Sequence, residues 1–289
     1  MEKVSITARW AVLVQMCDSS GGDFVNTTNG PADARCRHII LDACSHGERA
    51  DTVKARLEQV SANHARSTEL SRLAAELNRA VCAASGQRVP AHLCSATGLL
   101  FDVYDAAIEG LPAIKIRYIN AGHPWGVIAR APASFDLLGN STSPRSSGSL
   151  VNLPFGFSDD TQYEEACLLV PVNGPTVIVT MTDGITELGA SNGHGDALSP
   201  ELFGELVVAA LGQNPCLQPR RLLNNICDSV NERFPDAKIK DDACLSLIAF
   251  DCCDEDDGIR RPPRQDETES PASRTASAMA SVTSPDPVK

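Results

Sequence analysis

Two spacings of apolar residues alternate along this chain. Residues 8–16 (ARWAVLVQM) and Arg37 to Ala43 (RHIILDA) are short apolar runs bounded by small or acidic residues, and both predict strands. From residue 47 to 64 the spacing lengthens, with Ala50, Val53, Leu57 and Val60 recurring every three or four positions on one helical face. Residues 67–84 repeat that period through Leu70, Leu73, Leu77 and Val81, with Ser67 or Thr68 as the expected N-cap. The short period then returns at residues 94–106, 114–122 and 124–131, where AGHP reads as a tight turn between the last two strands. Gly139 to Ser149 has the composition of a surface loop. Strands are expected again at 167–172 and 176–181, helices at 199–212 and 219–234, and a closing strand at 243–250.

Strands that fall in hairpin-like blocks between paired helices predict an α+β fold with largely antiparallel sheets, not a parallel βαβ array. Residues 253–289 are rich in Asp, Glu, Pro, Ser and Thr and poor in large apolar side chains. Such a stretch cannot offset its ordering entropy by burial, so it is expected to be a disordered tail behind one folded domain, residues 1–252.

Composition narrows the function. The 289 residues carry a net charge of −12, and no Lys/Arg cluster suited to a phosphate backbone is visible, which argues against nucleic acid. The 11 cysteines are odd in number, scattered, and form no CxxC pair. Several, such as Cys167 and Cys244, lie inside apolar runs as small hydrophobes, so a reducing cytosol is expected and not a disulfide scaffold or zinc knuckle. WAVLVQM is too short for the apolar segment of an export signal, and no run approaches membrane-spanning length. A cytoplasmic protein is the expectation.

Acidic residues share a habit that composition alone does not explain. Asp23 follows two glycines, Asp42 closes a strand, Asp183 is expected to end the strand built on TVIVTM, just before a glycine, and Asp241-Asp242 lead into the last strand. Taken singly, each is ordinary turn chemistry. Gathered at converging strand ends, they would repel one another unless a cation sat between them. An all-oxygen donor set suits Mg²⁺ or Mn²⁺, and two such ions can share a bridging water and clamp a phosphoryl group in line.

Six short stretches fall in one order: GGDF at 21–24, LDACSHGERA at 41–50, YINAGHPW at 118–125, LPFG at 153–156, TMTDGITE at 180–187 and KDDACLSLIAF at 240–250. This series resembles the SpoIIE/RsbU branch of the metal-dependent protein phosphatases (the PPM, or protein phosphatase 2C-like, family). The resemblance implies a four-layer αββα sandwich, with two antiparallel sheets flanked by helix pairs. It further implies two Mn²⁺ or Mg²⁺ ions held by Asp23, Asp42, Asp183, Asp241 and the backbone carbonyl of Ala43. Asp42 would bridge both ions, Asp42 and Asp183 would be the catalytic carboxylates, and Asp242 would stand behind the ligands or face a helix. The implied reaction is attack of a metal-bridging water on phosphoserine or phosphothreonine. The implied partner is a phosphorylated STAS-type anti-anti-sigma regulator.

Two positions depart from the family pattern: Ser45 replaces the first glycine of a GHG stretch, and Asn26 stands where many members carry an acid. They favour an alternative, a catalytically weak pseudophosphatase that binds a regulatory partner and senses metal. A plain metal-binding α+β domain is a third reading, which explains the acids but not the ordered motifs. His46 is a candidate acid or substrate-facing group, and His123 is read as a hydrogen-bonded turn histidine. Arg35, Arg37 and Lys240 are candidates for the substrate phosphate, with solvated surface charge as the default.

Overall fold

Both faces of the central strands are buried, and successive side chains enter different cores, which builds the layers. In Ala96–Ile108, Leu99, Phe101 and Val103 enter one apolar cluster while Leu100 enters another, so the strand's two faces feed two separate cores. The structure, a computed structural model, describes residues 5–15, 21–31, 33–44, 48–64, 69–85, 95–138, 151–188, 198–214, 217–235 and 241–253. These residues all fall in one compact unit, Met1–Glu255. The expected tail lies outside the described residues, apart from Cys253.

In chain order the elements are β1 (Ser5–Gln15), β2 (Phe24–Thr28), β3 (Ala34–Ala43), α1 (Glu48–Asn63), α2 (Leu70–Ser85), β4 (Ala96–Ile108), β5 (Leu111–Ala121), β6 (Gly126–Arg130) and β7 (Ser134–Leu138). They continue with β8 (Val151–Asn152), β9 (Ala166–Pro171), β10 (Thr176–Met181), α3 (Asp183–Thr186), α4 (Pro200–Gly212), α5 (Pro219–Arg233) and β11 (Ala243–Cys253). One sheet has the order β1-β11-β10-β6-β7; the other runs β2-β3-β4-β5, with β8 and β9 both on β5. Among the described residues, the strand pairings are antiparallel except the two-residue β5–β8 contact and a single parallel bridge from Gly98 to Gly122.

The sheets face each other across a core that includes Ile6, Ile128, Ile178, Ile248 and Phe250 from the first, and Ile40, Leu99, Phe101, Ile114 and Ile116 from the second. On the outer face of the first sheet, Val177, Val179, Leu245 and Leu247 pack with Phe203, Val207, Leu222 and Ile226 of α4 and α5. On the outer face of the second, Ile39, Leu41 and Leu100 pack with Val53, Leu57, Leu73 and Leu77 of α1 and α2. The architecture is therefore the expected αββα sandwich.

Where structure and expectation differ, the causes are physical. β2 (FVNTT) is half-buried throughout, β7 is a short edge strand and β8 has two residues, so none carries a strong apolar signal. Asp183 does not end a strand: β10 stops at Met181, and Asp183 is the first residue of the one-turn α3. Arg37 is no surface charge. It is fully buried, donating to both carboxylate oxygens of Asp102 (2.7 and 2.6 Å) and to the carbonyl of His64 just past α1 (3.1 Å), so it ties that helix end to the sheet. The expected caps Ser67 and Thr68 lie outside the described residues.

Candidate metal centre

Register brings the acidic segments to one end of the sandwich. Phe24 pairs with Leu41, so Asp23 stands next to the end of β3 that carries Asp42 and Ala43, and the Ala43 amide donates to the Gly22 carbonyl (3.4 Å). In the other sheet Met181 pairs with Leu245, which sets Asp183 beside the start of β11, where Asp241 and Asp242 precede Ala243. Glycines permit the close approach. A Cβ on Gly22 would lie 2.8 Å from the Ala43 carbonyl oxygen, and one on Gly184 would lie 2.1 Å from the Asp242 carbonyl oxygen.

Hydrogen bonds then lock the two sheets together at this end. The Gly22 amide donates to Asp242 Oδ2 (2.8 Å), and the Thr182 hydroxyl donates to Asp23 Oδ2 (2.6 Å). The Cys244 amide donates to Thr182 Oγ1 (2.8 Å), while Lys54 Nζ reaches the Gly21 carbonyl from α1 (3.1 Å). Asp242 thus holds the GGD loop. Thr182 and Lys54 escaped the sequence reading. Thr182 had one signal, its position between an apolar strand and an acid-glycine pair; Lys54 had none on a charged helix face.

Burial and crowding shift the carboxylates at this end of the sandwich. Burial pushes the Asp23 carboxyl up to about 8 against the pull of the Thr182 hydrogen bond, and Asp42, Asp242 and Asp183 push the same way. Burial, then repulsion from Asp183, Asp241 and Asp242 and contact with the Asp183 carboxyl, lifts Asp42 to about 7. Asp183 is raised by burial, then by Asp241 and Glu187. Among the described residues, no three His, Cys, Asp or Glu side chains stand as a closed ligand group. The all-oxygen donor set nonetheless fits a hard divalent cation: Asp23, Asp42 and Asp183 are raised by burial and by nearby carboxylates, a strain that positive charge between them would relieve.

Other candidates divide clearly. His123 is the buried turn histidine expected, its Nδ1 donating to the Pro124 carbonyl (2.9 Å) and its amide donating to Asn120 Oδ1 (2.8 Å). Arg35 pairs with the exposed Asp105. Asn26 is half-buried on β2, and Cys44 is exposed beside Ala43. Ser45, His46 and Lys240 lie outside the described residues. A second histidine, His38, sits between the sheets, with Nδ1 on Thr27 Oγ1 (2.8 Å) and Nε2 on Thr180 Oγ1 (3.0 Å); burial holds it down at about 3. No helix among the described residues is long and apolar enough to cross a membrane.

A family model described as Stage II sporulation protein E (SpoIIE) matches residues 32–251. Comparison with curated proteins returned no match. Among solved structures, the RsbU and RsbW domains of a Mycobacterium tuberculosis protein are 19% identical, with a TM-score of 0.58 over 85% of this chain and 61% of that one. The PP2C phosphatase domain and regulatory-domain fragment of SpoIIE from Bacillus subtilis is 14% identical, with a TM-score of 0.61 over 87% and 65%. RsbX in complex with magnesium is 14% identical, with a TM-score of 0.53 over 86% and 100%. The chain thus spans less than two thirds of the length of the first two, and the likeness establishes a PP2C-type fold.

Proposed function

Because the chain belongs to the SpoIIE family, matched over residues 32–251, we propose that it is a metal-dependent protein serine/threonine phosphatase. The observation that carries this reading is the acidic cluster itself: Asp23, Asp42 and Asp183, each with its carboxyl pKa raised by burial and by neighbouring carboxylates, at one end of a PP2C-type sandwich. Asp23, Asp42, Asp183, Asp241 and the Ala43 carbonyl would hold two divalent ions, Mg²⁺ or Mn²⁺. A magnesium complex of the structurally similar RsbX supports that choice of ion class. When bound, the ions would supply Lewis acidity that activates water and neutralises the phosphoryl oxygens.

The protein's own groups do the rest. Asp42, on β3, and Asp183, at the start of α3, are in side-chain contact and would set the spacing of the charges that face the phosphate. The hydrogen bonds from Thr182 to Asp23 and from Gly22 to Asp242 keep the carboxylates from relaxing apart, which is the preorganisation that electrostatic catalysis requires. The partner would be a phosphorylated regulatory protein of the STAS type, since solved neighbours include RsbU and RsbX proteins. The protein would work in the cytoplasm, as a folded domain of residues 1–252 followed by a tail.

The test is hydrolysis of an aryl phosphate and a phosphoserine peptide by purified protein with Mn²⁺, with Mg²⁺ and with EDTA. Metal-dependent turnover that disappears in Asp183→Asn supports the assignment. Turnover unaffected by EDTA or by that substitution refutes it.

A further inference from the structure

We infer that Thr182 is a positioning residue, whose hydroxyl fixes the orientation of the Asp23 carboxylate toward the metal. This inference rests on the metal-centre reading above and adds a residue to it.

The hydrogen-bond directions around Thr182 leave little freedom. Its backbone amide donates to the Cys244 carbonyl (3.0 Å), and the Cys244 amide, which can only donate, points at Thr182 Oγ1 (2.8 Å). The oxygen therefore acts as acceptor toward β11, and its single proton goes to Asp23 Oδ2, 2.6 Å away. That bond takes one lone pair of Oδ2 and fixes the plane of the carboxylate, and so the directions in which it can present oxygen to a cation. The side chain is wholly buried, so water does not compete for either bond.

A second observation shows that this arrangement is specific. Thr182 is the N-cap of α3, with extended backbone (φ −84, ψ 171), yet its side chain makes no cap hydrogen bond. A threonine at this position ordinarily turns its oxygen onto an amide two or three residues ahead. Here the oxygen is diverted from the helix to β11 and its proton to Asp23. One hydroxyl thereby couples the strand before Asp183, the strand after Asp242 and the loop carrying Asp23. Removing a hydrogen-bond partner that orients a metal ligand typically costs about 10- to 100-fold in metal affinity.

The experiment is calorimetric titration with Mn²⁺ alone, on wild type, Thr182→Val, Thr182→Ser, Asp23→Ala and the Asp23→Ala/Thr182→Val double variant, with cooperative unfolding in EDTA checked for each. Thr182→Val should weaken Mn²⁺ binding by about 10- to 100-fold, and Thr182→Ser should stay within about threefold of wild type. In the Asp23→Ala background Thr182→Val should add nothing, because the group it acts through is gone. Wild-type affinity in Thr182→Val, or the same loss in both backgrounds, overturns the inference. Should Thr182→Val not fold, the serine variant decides, and a loss of about tenfold or more there overturns it. A wild-type protein that binds no Mn²⁺ overturns the metal-centre reading, and this inference with it.

Discussion

Ionising the acidic cluster without metal should weaken the fold, and pH separates this effect from others. Asp23 is raised from 3.8 to about 8 and Asp42 from 3.8 to about 7. A carboxyl whose folded pKa lies above its unfolded value contributes stability in full below the unfolded pKa, and loses it as pH rises through the folded one. The buried histidines act oppositely. His38 and His123 are lowered from 6.5 to about 3 and about 4, so their contribution is complete only above about pH 7.5 and fades as pH falls. Below pH 6.5 the two effects offset each other; above it the carboxylates dominate, opposed only by the last of the histidine titration and joined near pH 8.5 by the buried cysteines. From pH 6.5 to 8.5, at about 1.36 kcal/mol per pKa unit, Asp23 accounts for about 2 kcal/mol and Asp42 for under about 1 kcal/mol.

The assay is urea unfolding at 25 °C in EDTA across pH 6.5 to 8.5, repeated with saturating Mn²⁺. The metal-free protein should lose about 2–3 kcal/mol over that range, and Asp23→Asn should lose most of that slope. Bound Mn²⁺ should abolish or reverse the decline, because metal replaces the protons that high pH removes. Metal-free stability that is flat or rising across this range would refute the reasoning.

Two further substitutions probe the frame around the site. Arg37→Ala should cost about 3–5 kcal/mol in urea unfolding, because it strands the buried Asp102 carboxylate, whereas Arg37→Leu combined with Asp102→Leu should cost less than half of that. Gly184→Ala would put a Cβ 2.1 Å from the Asp242 carbonyl oxygen and lever α3 away from β11. A loss of about 1–3 kcal/mol, together with weaker Mn²⁺ binding by calorimetry, is expected for it.

The parts of this fold legible in sequence were those where one local period decides burial. Leu73, Leu77 and Val81 mark the buried face of α2, and alternation through Leu99, Phe101 and Val103 marks β4, because each pattern is set by neighbours a few residues apart. β2 and β7 stayed hidden because half-buried edge strands need no apolar alternation. At the site, the acids stood out through their neighbours: Gly22 before Asp23 and Gly184 after Asp183 each allow a backbone approach that a side chain would block. The bonds that hold those acids were invisible, since Gly22 to Asp242 spans 220 positions and Thr182 to Asp23 spans 159. Arg37 was misjudged for the same reason: its partner Asp102 is 65 residues away, and an arginine read without its partner defaults to the surface.

The most direct test of the central claim is one Mn²⁺ titration followed by heat and by turnover of a phosphoserine peptide on the same preparation, with Asp42→Asn alongside. A catalytic two-ion centre predicts that binding and activity saturate together near two ions per chain, and that the variant loses both. Binding that saturates with no turnover would contradict the phosphatase assignment and leave a metal-sensing pseudophosphatase in its place.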